Sequence, residues 1–205
     1  MDELKDQYRG PQGEGGRTVL LRMNEHHVPL WDECLSHLPS DLDGSVLDVG
    51  CGGGGFLRRL SERYPYAMLF GVDISEDALS MTADVNAEVV SSGGLELHLA
   101  SVDSLPFGDG SFDMVTAMET YFFWPDLQAG LRELARVVSP GGILAVGSEL
   151  RYGSGDDSDI DAKCEEYGMR LVRDGEMLSL MDACGFDVEA FVGENGVLYR
   201  GVRRF

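Results

Sequence analysis

Lysine is nearly missing from this chain of 205 residues: Lys5 and Lys163 are all there is. With arginine included, 16 bases face 36 acids, a formal net charge of −20. Affinity for nucleic acid rests largely on Lys and Arg neutralising phosphates, so this balance predicts neither a DNA nor an RNA substrate. It equally disfavours anionic membrane surfaces. No run of 18 apolar residues occurs, and the opening Met-Asp-Glu-Leu-Lys-Asp is no secretion signal, so the expected location is cytoplasmic. Cysteine is scarce as well. Cys34, Cys51, Cys164 and Cys184 form no CxxC and no metal-ligand spacing, which argues against a disulfide framework and predicts no metal site. An Asp-rich, Lys-poor surface also occurs in proteins adapted to high salt. If that applies, the unfolding temperature rises between low salt and molar potassium chloride; a merely solubilising acidic surface predicts no such rise.

Glycine, by contrast, is concentrated in one telling place. Residues 46–56 read Val-Leu-Asp-Val-Gly-Cys-Gly-Gly-Gly-Gly-Phe. Three apolar residues around one acid predict a short buried strand, and the glycines let the backbone turn tightly and approach a ligand closely. Phe56, Leu57 and Leu60, interleaved with Arg58 and Arg59, open a helix. Strand, glycine loop and helix make the nucleotide-binding corner of an open α/β sheet. Gly50, Gly52 and Gly55 satisfy GxGxxG, which taken alone is weak evidence for a dinucleotide. Asp48 is more informative, because a carboxylate beside a pyrophosphate adds repulsion, whereas it suits a ligand carrying an ammonium and a sulfonium. Met68 to Ser75 form a second apolar strand ending in Asp73, placed where a carboxylate accepts hydrogen bonds from both ribose hydroxyls of an adenosine. Ser75 then caps a helix bearing Ala78, Leu79, Thr82 and Val85.

On Val46 to Gly54 and Gly71-Val72-Asp73-Ile74-Ser75, the chain resembles the class I S-adenosylmethionine-dependent methyltransferases. The resemblance continues through Leu105-Pro106-Phe107, Asp109-Gly110-Ser111-Phe112-Asp113 and Arg136 to Gly142. It covers residues 44–149 firmly and is most similar to the small stand-alone prokaryotic members. It implies a Rossmann-like α/β fold: a seven-stranded, mostly parallel sheet with helices on both faces and a C-terminal antiparallel hairpin. The implied cofactor is S-adenosylmethionine, with S-adenosylhomocysteine as product. It would be bound by Asp48, Gly50, Cys51, Gly52, Asp73, Ile74, Val102 and Met118. Relatives usually carry an acid four positions before Leu-Pro-Phe to take the adenine amino group. Ser101 stands there instead; its hydroxyl can accept that bond, and Asp103 is a second candidate.

The organisation expected is a flexible arm over 1–17, rich in glycine, followed by a single domain over 18–205. Within it lie a helical lid segment (18–40), the cofactor-binding core (44–149), a glycine- and acid-rich substrate-side insertion (150–175), and a closing helix and hairpin (176–205). Trp31, Cys34, Leu35 and Leu38 make one helical stripe, and Leu127, Leu131, Leu134 and Val138 another, stopped at Ser139-Pro140-Gly141-Gly142. Residues 186–192 and 197–203 alternate as an antiparallel pair across Gly193 to Gly196.

Chemistry is expected where the fourth strand runs out, at Met118-Glu119-Thr120-Tyr121-Phe122-Phe123-Trp124, because open α/β sheets place ligands at the carboxyl ends of their strands. Glu119 is the first candidate for an active-site acid, since an acid ending an apolar strand is costly to bury without a partner. His26 and His27, in a segment resembling the family's N-terminal lid, are candidate bases. Tyr121 offers an aromatic face that can hold a cation. The function expected is methyl transfer to a small-molecule acceptor, with no oligomeric state indicated. A nicotinamide-dependent oxidoreductase and a non-catalytic S-adenosylmethionine-binding regulator are the alternatives.

Overall fold

The apolar runs become strands and the amphipathic segments become the helices between them. A computed structural model describes residues 3–205. The elements are α1 (Glu3–Arg9), α2 (Gly13–His26), α3 (Val28–Ser36), β1 (Ser45–Val49), α4 (Gly55–Arg63), β2 (Met68–Asp73), α5 (Glu76–Val85), α6 (Ala87–Ser91) and β3 (Leu95–Leu99). Next come β4 (Phe112–Met118), a 3₁₀ turn (Tyr121–Phe123), α7 (Leu127–Val137), β5 (Val138–Ser148), α8 (Asp157–Tyr167), α9 (Asp174–Ala183), β6 (Phe186–Val192) and β7 (Val197–Arg203). The seven strands form one sheet in the order β3-β2-β1-β4-β5-β7-β6. Strands β1 to β5 pair parallel, and β7 pairs antiparallel with both β5 and β6.

Residues on alternate sides of the strands build two cores. Leu47, Val115, Leu144 and Val146 face Leu131, Leu134 and Met177 on one side; Val46, Met114 and Ala145 face Trp31, Cys34 and Leu60 on the other. The predicted helical stripes are the buried faces of α3 and α7. The order reverses between β1 and β4, so the crevice above their carboxyl ends is where a ligand belongs. Among the described residues, no helix is long and apolar enough to cross a membrane.

The structure departs from the sequence reading in three segments. The N-terminal stretch over 1–17 is not an arm without structure: α1 and the start of α2 run through it, joined by residues 10–12, and residues 1–2 lie outside the described residues. Local propensity is weak from Gly10 to Gly16, where long-range hydrogen bonds supply the order. Gly13 N–H donates to Asp77 Oδ2 at 2.7 Å, and the Ser75 hydroxyl donates to the Pro11 carbonyl. Gly141 and Gly142 do not separate α7 from the next strand, because β5 starts at Val138 and absorbs them through an irregularity in its pairing with β4. The segment over 150–175 contains a helix, α8, capped by the Asp156 carboxylate on Ser158 N–H and ended by Gly168.

Candidate active site

The glycine loop sits over the ends of β1 and β2 and is held from three sides. Gly50 and Cys51 N–H both donate to Val72 O. The carbonyls of Gly52, Gly53 and Gly54 accept from Thr82 Oγ1, Asn24 Nδ2 and Asn86 Nδ2, at 2.8, 2.9 and 3.0 Å. Backbone groups that a tight loop leaves orphaned are thereby satisfied by α2, α5 and Asn86 at the junction of α5 and α6. Gly50 has φ +74, and a Cβ there would stand 2.3 Å from Thr120 Oγ1, so no side chain fits.

Beneath this loop lies a cavity of about 130 Å³ lined by Gly50, Gly52, Asp73, Ile74, Ser101, Val102, Met118 and Glu119. Asp73 accepts from Gly52 N–H (2.9 Å) through one oxygen and from Ser75 N–H (3.0 Å) through the other. Ile74 N–H is a third backbone donor, and four lone-pair sites against three donors leave room for a further one. Burial pushes its carboxyl up, opposed by those N–H groups. Ile74 is 56% exposed against this cavity, an apolar surface that a flat ring lying on it would remove from water. The loop carrying Ser101 and Val102 is clamped to α7: Leu105 N–H donates to Glu133, and Arg136 donates to Phe107 O and Asp109.

Several expected residues lie elsewhere. Asp48 is 2% exposed and lines neither this cavity nor the larger one described below. Strand parity explains why: Asp48 is the register partner of Thr116 on β4, and its Oδ1 accepts the Thr116 hydroxyl at 2.7 Å. Cys51 is buried under the loop against Thr82. Asp103 is exposed and outside the lining. Tyr121 turns down into the core on the 3₁₀ turn, 1% exposed and lining neither cavity; burial pushes its phenol well up. It presents no face to a ligand.

Burial raises Asp48 to about 7, the nearby Asp73 charge adding to the effect and the Thr116 hydroxyl opposing it. A folded-state value above the unfolded 3.8 means that ionisation costs stability as pH climbs through that window. The full cost, at most about 4 kcal/mol, is present above pH 7 and relieved in acid. Asp48→Asn is therefore expected to gain in unfolding temperature over the parent by several degrees more at pH 8 than at pH 4.5. A gap independent of pH would show that Asp48 stays ionised in the folded chain.

The second, larger cavity, about 640 Å³, opens beside the first. Its apolar wall is Phe122, Phe123, Leu150, Tyr167 and Met169, and its polar rim includes Arg22, His26, His27, Glu119, Glu149 and Lys163. Glu119 follows the last residue of β4 with φ +57, and among the described residues it is the non-glycine residue with a positive φ. Its Oε1 accepts from Glu149 N–H. Burial pushes its carboxyl up to about 7, against the pull of the His27 charge and the Glu149 N–H. Glu149 Oε1 lies 2.9 Å from His27 Nδ1, and Oε2 lies 3.2 Å from His26 Nε2. Burial would lower His27, but its hydrogen bond to Glu149 and the charges of Glu119 and Glu149 together more than offset this and hold it above its ordinary value. Glu149 is lowered in return, chiefly by His27, despite burial.

Sequence reasoning had passed over Glu149, Tyr8, Arg22, Lys163 and Tyr167, together with the loop-holding Asn24, Thr82 and Asn86. Only Glu149 had a usable signal: it ends β5 as Glu119 ends β4.

The reversed-order sheet, the glycine loop and Asp73 at the end of β2 define the fold of the class I S-adenosylmethionine-dependent methyltransferases. Residues 47–146 match the family described as Methyltransferase domain. Its cofactor is accordingly S-adenosylmethionine, which leaves S-adenosylhomocysteine. Over 151 residues, 73% of this chain, it is 31% identical to the 27-O-demethylrifamycin SV methyltransferase of Amycolatopsis mediterranei, covering 55% of that protein. The chain spans about half the length of the curated relatives it matches. A similar fold occurs in a structure described as a complex between the Haloferax volcanii Trm112 methyltransferase activator and a methyltransferase. There the TM-score is 0.83 at 19% identity, covering 100% of this chain and 99% of that one. The phosphoethanolamine N-methyltransferase 2 of Haemonchus contortus, solved with S-adenosyl-L-methionine, gives 0.70 at 15% identity, over 85% of this chain and 53% of that one.

The residues fit the cofactor in kind. An under-used carboxylate, an uncovered apolar side chain and a loop that admits no Cβ sit around one cavity. Its volume is tight beside the roughly 300–1,000 Å³ usual for such ligands. Tyr8, Arg9 and Pro11 form part of its wall.

Proposed function

We propose that this chain transfers a methyl group to a small-molecule acceptor held in the larger cavity. The supporting observation is a shared wall: Tyr8, Met23, Glu119 and Phe123 line both cavities. A group bound in one therefore meets a group bound in the other at Glu119. S-adenosylmethionine, when bound, supplies an electrophilic methyl on a sulfonium.

The chain's own residues bind, orient and exclude water. Asp73 accepts from the ribose hydroxyls, Ile74 covers one face of the adenine, and the Ser101 hydroxyl and Val102 N–H hold its edge. Gly50 and Gly52 bring the backbone close, and Met118 closes the cavity floor. Asp48 and Cys51 act from beneath, through the shape of the loop. Phe122, Phe123 and Met169 keep water off the acceptor. Alignment and water exclusion of this kind contribute up to roughly 7–11 kcal/mol in well-oriented reactions. Glu119 is the carboxylate placed to accept a hydrogen bond, and then a proton, from the acceptor. His26 and His27 already face Glu149 and are less free to do so.

Incubating the chain with labelled S-adenosylmethionine and fractionated cell extract, then identifying the labelled product by mass, tests this reading. Saturable NADH binding with none for S-adenosylhomocysteine would overturn it in favour of an oxidoreductase. Cofactor binding with no labelled product in any fraction would leave a regulator.

A protein partner forms part of the proposal, motivated by the activator bound in the Haloferax structure. The surface that suits one is the free edge of β3, where Leu99 is 53% exposed and the ladder on one side is unpaired. Co-elution with a Trm112-type activator, weakened by Leu99→Asp, is the expected result.

A further inference from the structure

We propose that His26, His27 and Glu149 form a binding site for one divalent transition-metal ion, at the rim of the larger cavity. This rests on reading that cavity as the acceptor's.

Neighbours on a continuous helix diverge, but α2 ends at His26, and His27 has φ −83 and ψ 1 at the junction with α3. The break brings the two rings together, their centroids 5.2 Å apart. Glu149, arriving from the end of β5, presents one carboxylate oxygen to each ring. One ligand atom from each of the three residues lies within 4.8 Å of the other two. Donors bound at about 2.1 Å on a tetrahedral or octahedral ion stand roughly 3.0–3.4 Å from one another. The two Glu149 oxygens stand 2.9 and 3.2 Å from the His27 and His26 ring nitrogens, and an ion enters when the three ligand atoms close from at most 4.8 Å to that spacing. Two imidazoles and one carboxylate suit zinc, manganese, iron, cobalt or nickel as divalent ions, with calcium disfavoured by the nitrogen ligands.

The charge balance of the rim points the same way. Glu25, Glu119 and Glu149 line the cavity against Arg22 and Lys163. A divalent ion offsets that excess of carboxylate. Three protein ligands leave coordination positions open, and since all three residues line the cavity, those positions are available to an acceptor. The acceptor class this selects is one offering an oxygen ligand next to the atom to be methylated, such as a vicinal diol or a hydroxy acid.

The test is titration of the chelator-treated full chain with cobalt(II), followed by its visible d–d absorption, with zinc competition by calorimetry. One equivalent is expected to bind, with nitrogen-ligand bands displaced by zinc. His26→Ala and Glu149→Gln should each weaken binding at least about tenfold, while His37→Gln and His98→Gln leave it unchanged. The His26 side chain is 73% exposed, so His26→Ala leaves the fold intact even if Glu149→Gln does not. No saturable band in the parent, or an unaltered band in His26→Ala, overturns the proposal. S-adenosylhomocysteine binding is measured on the same metal-free sample. Cofactor binding without metal binding defeats the metal site alone, and metal binding without cofactor binding defeats the methyl-transfer reading alone.

Discussion

Asp73→Ala is expected to abolish useful cofactor binding while leaving the chain folded. Two hydroxyl hydrogen bonds to a carboxylate are worth about 1.5–3 kcal/mol each. Their joint loss corresponds to a fall of roughly 10²–10⁴-fold in affinity for S-adenosylhomocysteine. Part of that loss comes through the loop, because Gly52 N–H and Ser75 N–H lose their acceptor as well. Asp73→Asn, which keeps acceptor oxygen but not charge, should fall between the two. Calorimetry reads the affinity, and circular dichroism with thermal unfolding reads the fold. Unaltered affinity in the alanine variant would mean that the ribose is held elsewhere.

The second large effect is expected at Glu119. Glu119→Gln keeps the shape, the backbone conformation and an acceptor for Glu149 N–H, and removes only the charge and basicity. Turnover of an identified acceptor should drop by about 10²–10⁴-fold, the usual contribution of a positioned base. Affinity for S-adenosylhomocysteine should change by no more than a few fold. Turnover preserved within a few fold would reduce Glu119 to a packing and loop-shaping role.

The features readable in the sequence are those whose meaning lies in consecutive residues. Val46 to Phe56 announces strand, turn and helix because apolar pattern and glycine sit side by side, and the same holds for Met68 to Ser75 and for the terminal hairpin. Asp48 was visible as a strand acid, but which face it served depended on its pairing with Thr116 on a strand 68 residues away. The cluster at the rim was harder still. Glu149 acquires its partners only when β5 carries it beside the α2–α3 junction, 122 residues from His27. Asn24, Thr82 and Asn86 are ordinary helix residues until the folded loop offers them carbonyls. Helix α1 had too short a pattern to predict, since residues beyond it, Ser75 and Asp77, anchor the turn that follows.

The left-handed backbone at Glu119 carries a consequence for how this protein would respond to evolution in the laboratory. A side chain at φ +57 costs of order 1–3 kcal/mol, and a shielded carboxylate adds to that. Glu119→Gly relieves both, so selection for heat tolerance alone should enrich it. The survivors would melt later than their parent and have lost the carboxylate proposed to meet the substrate.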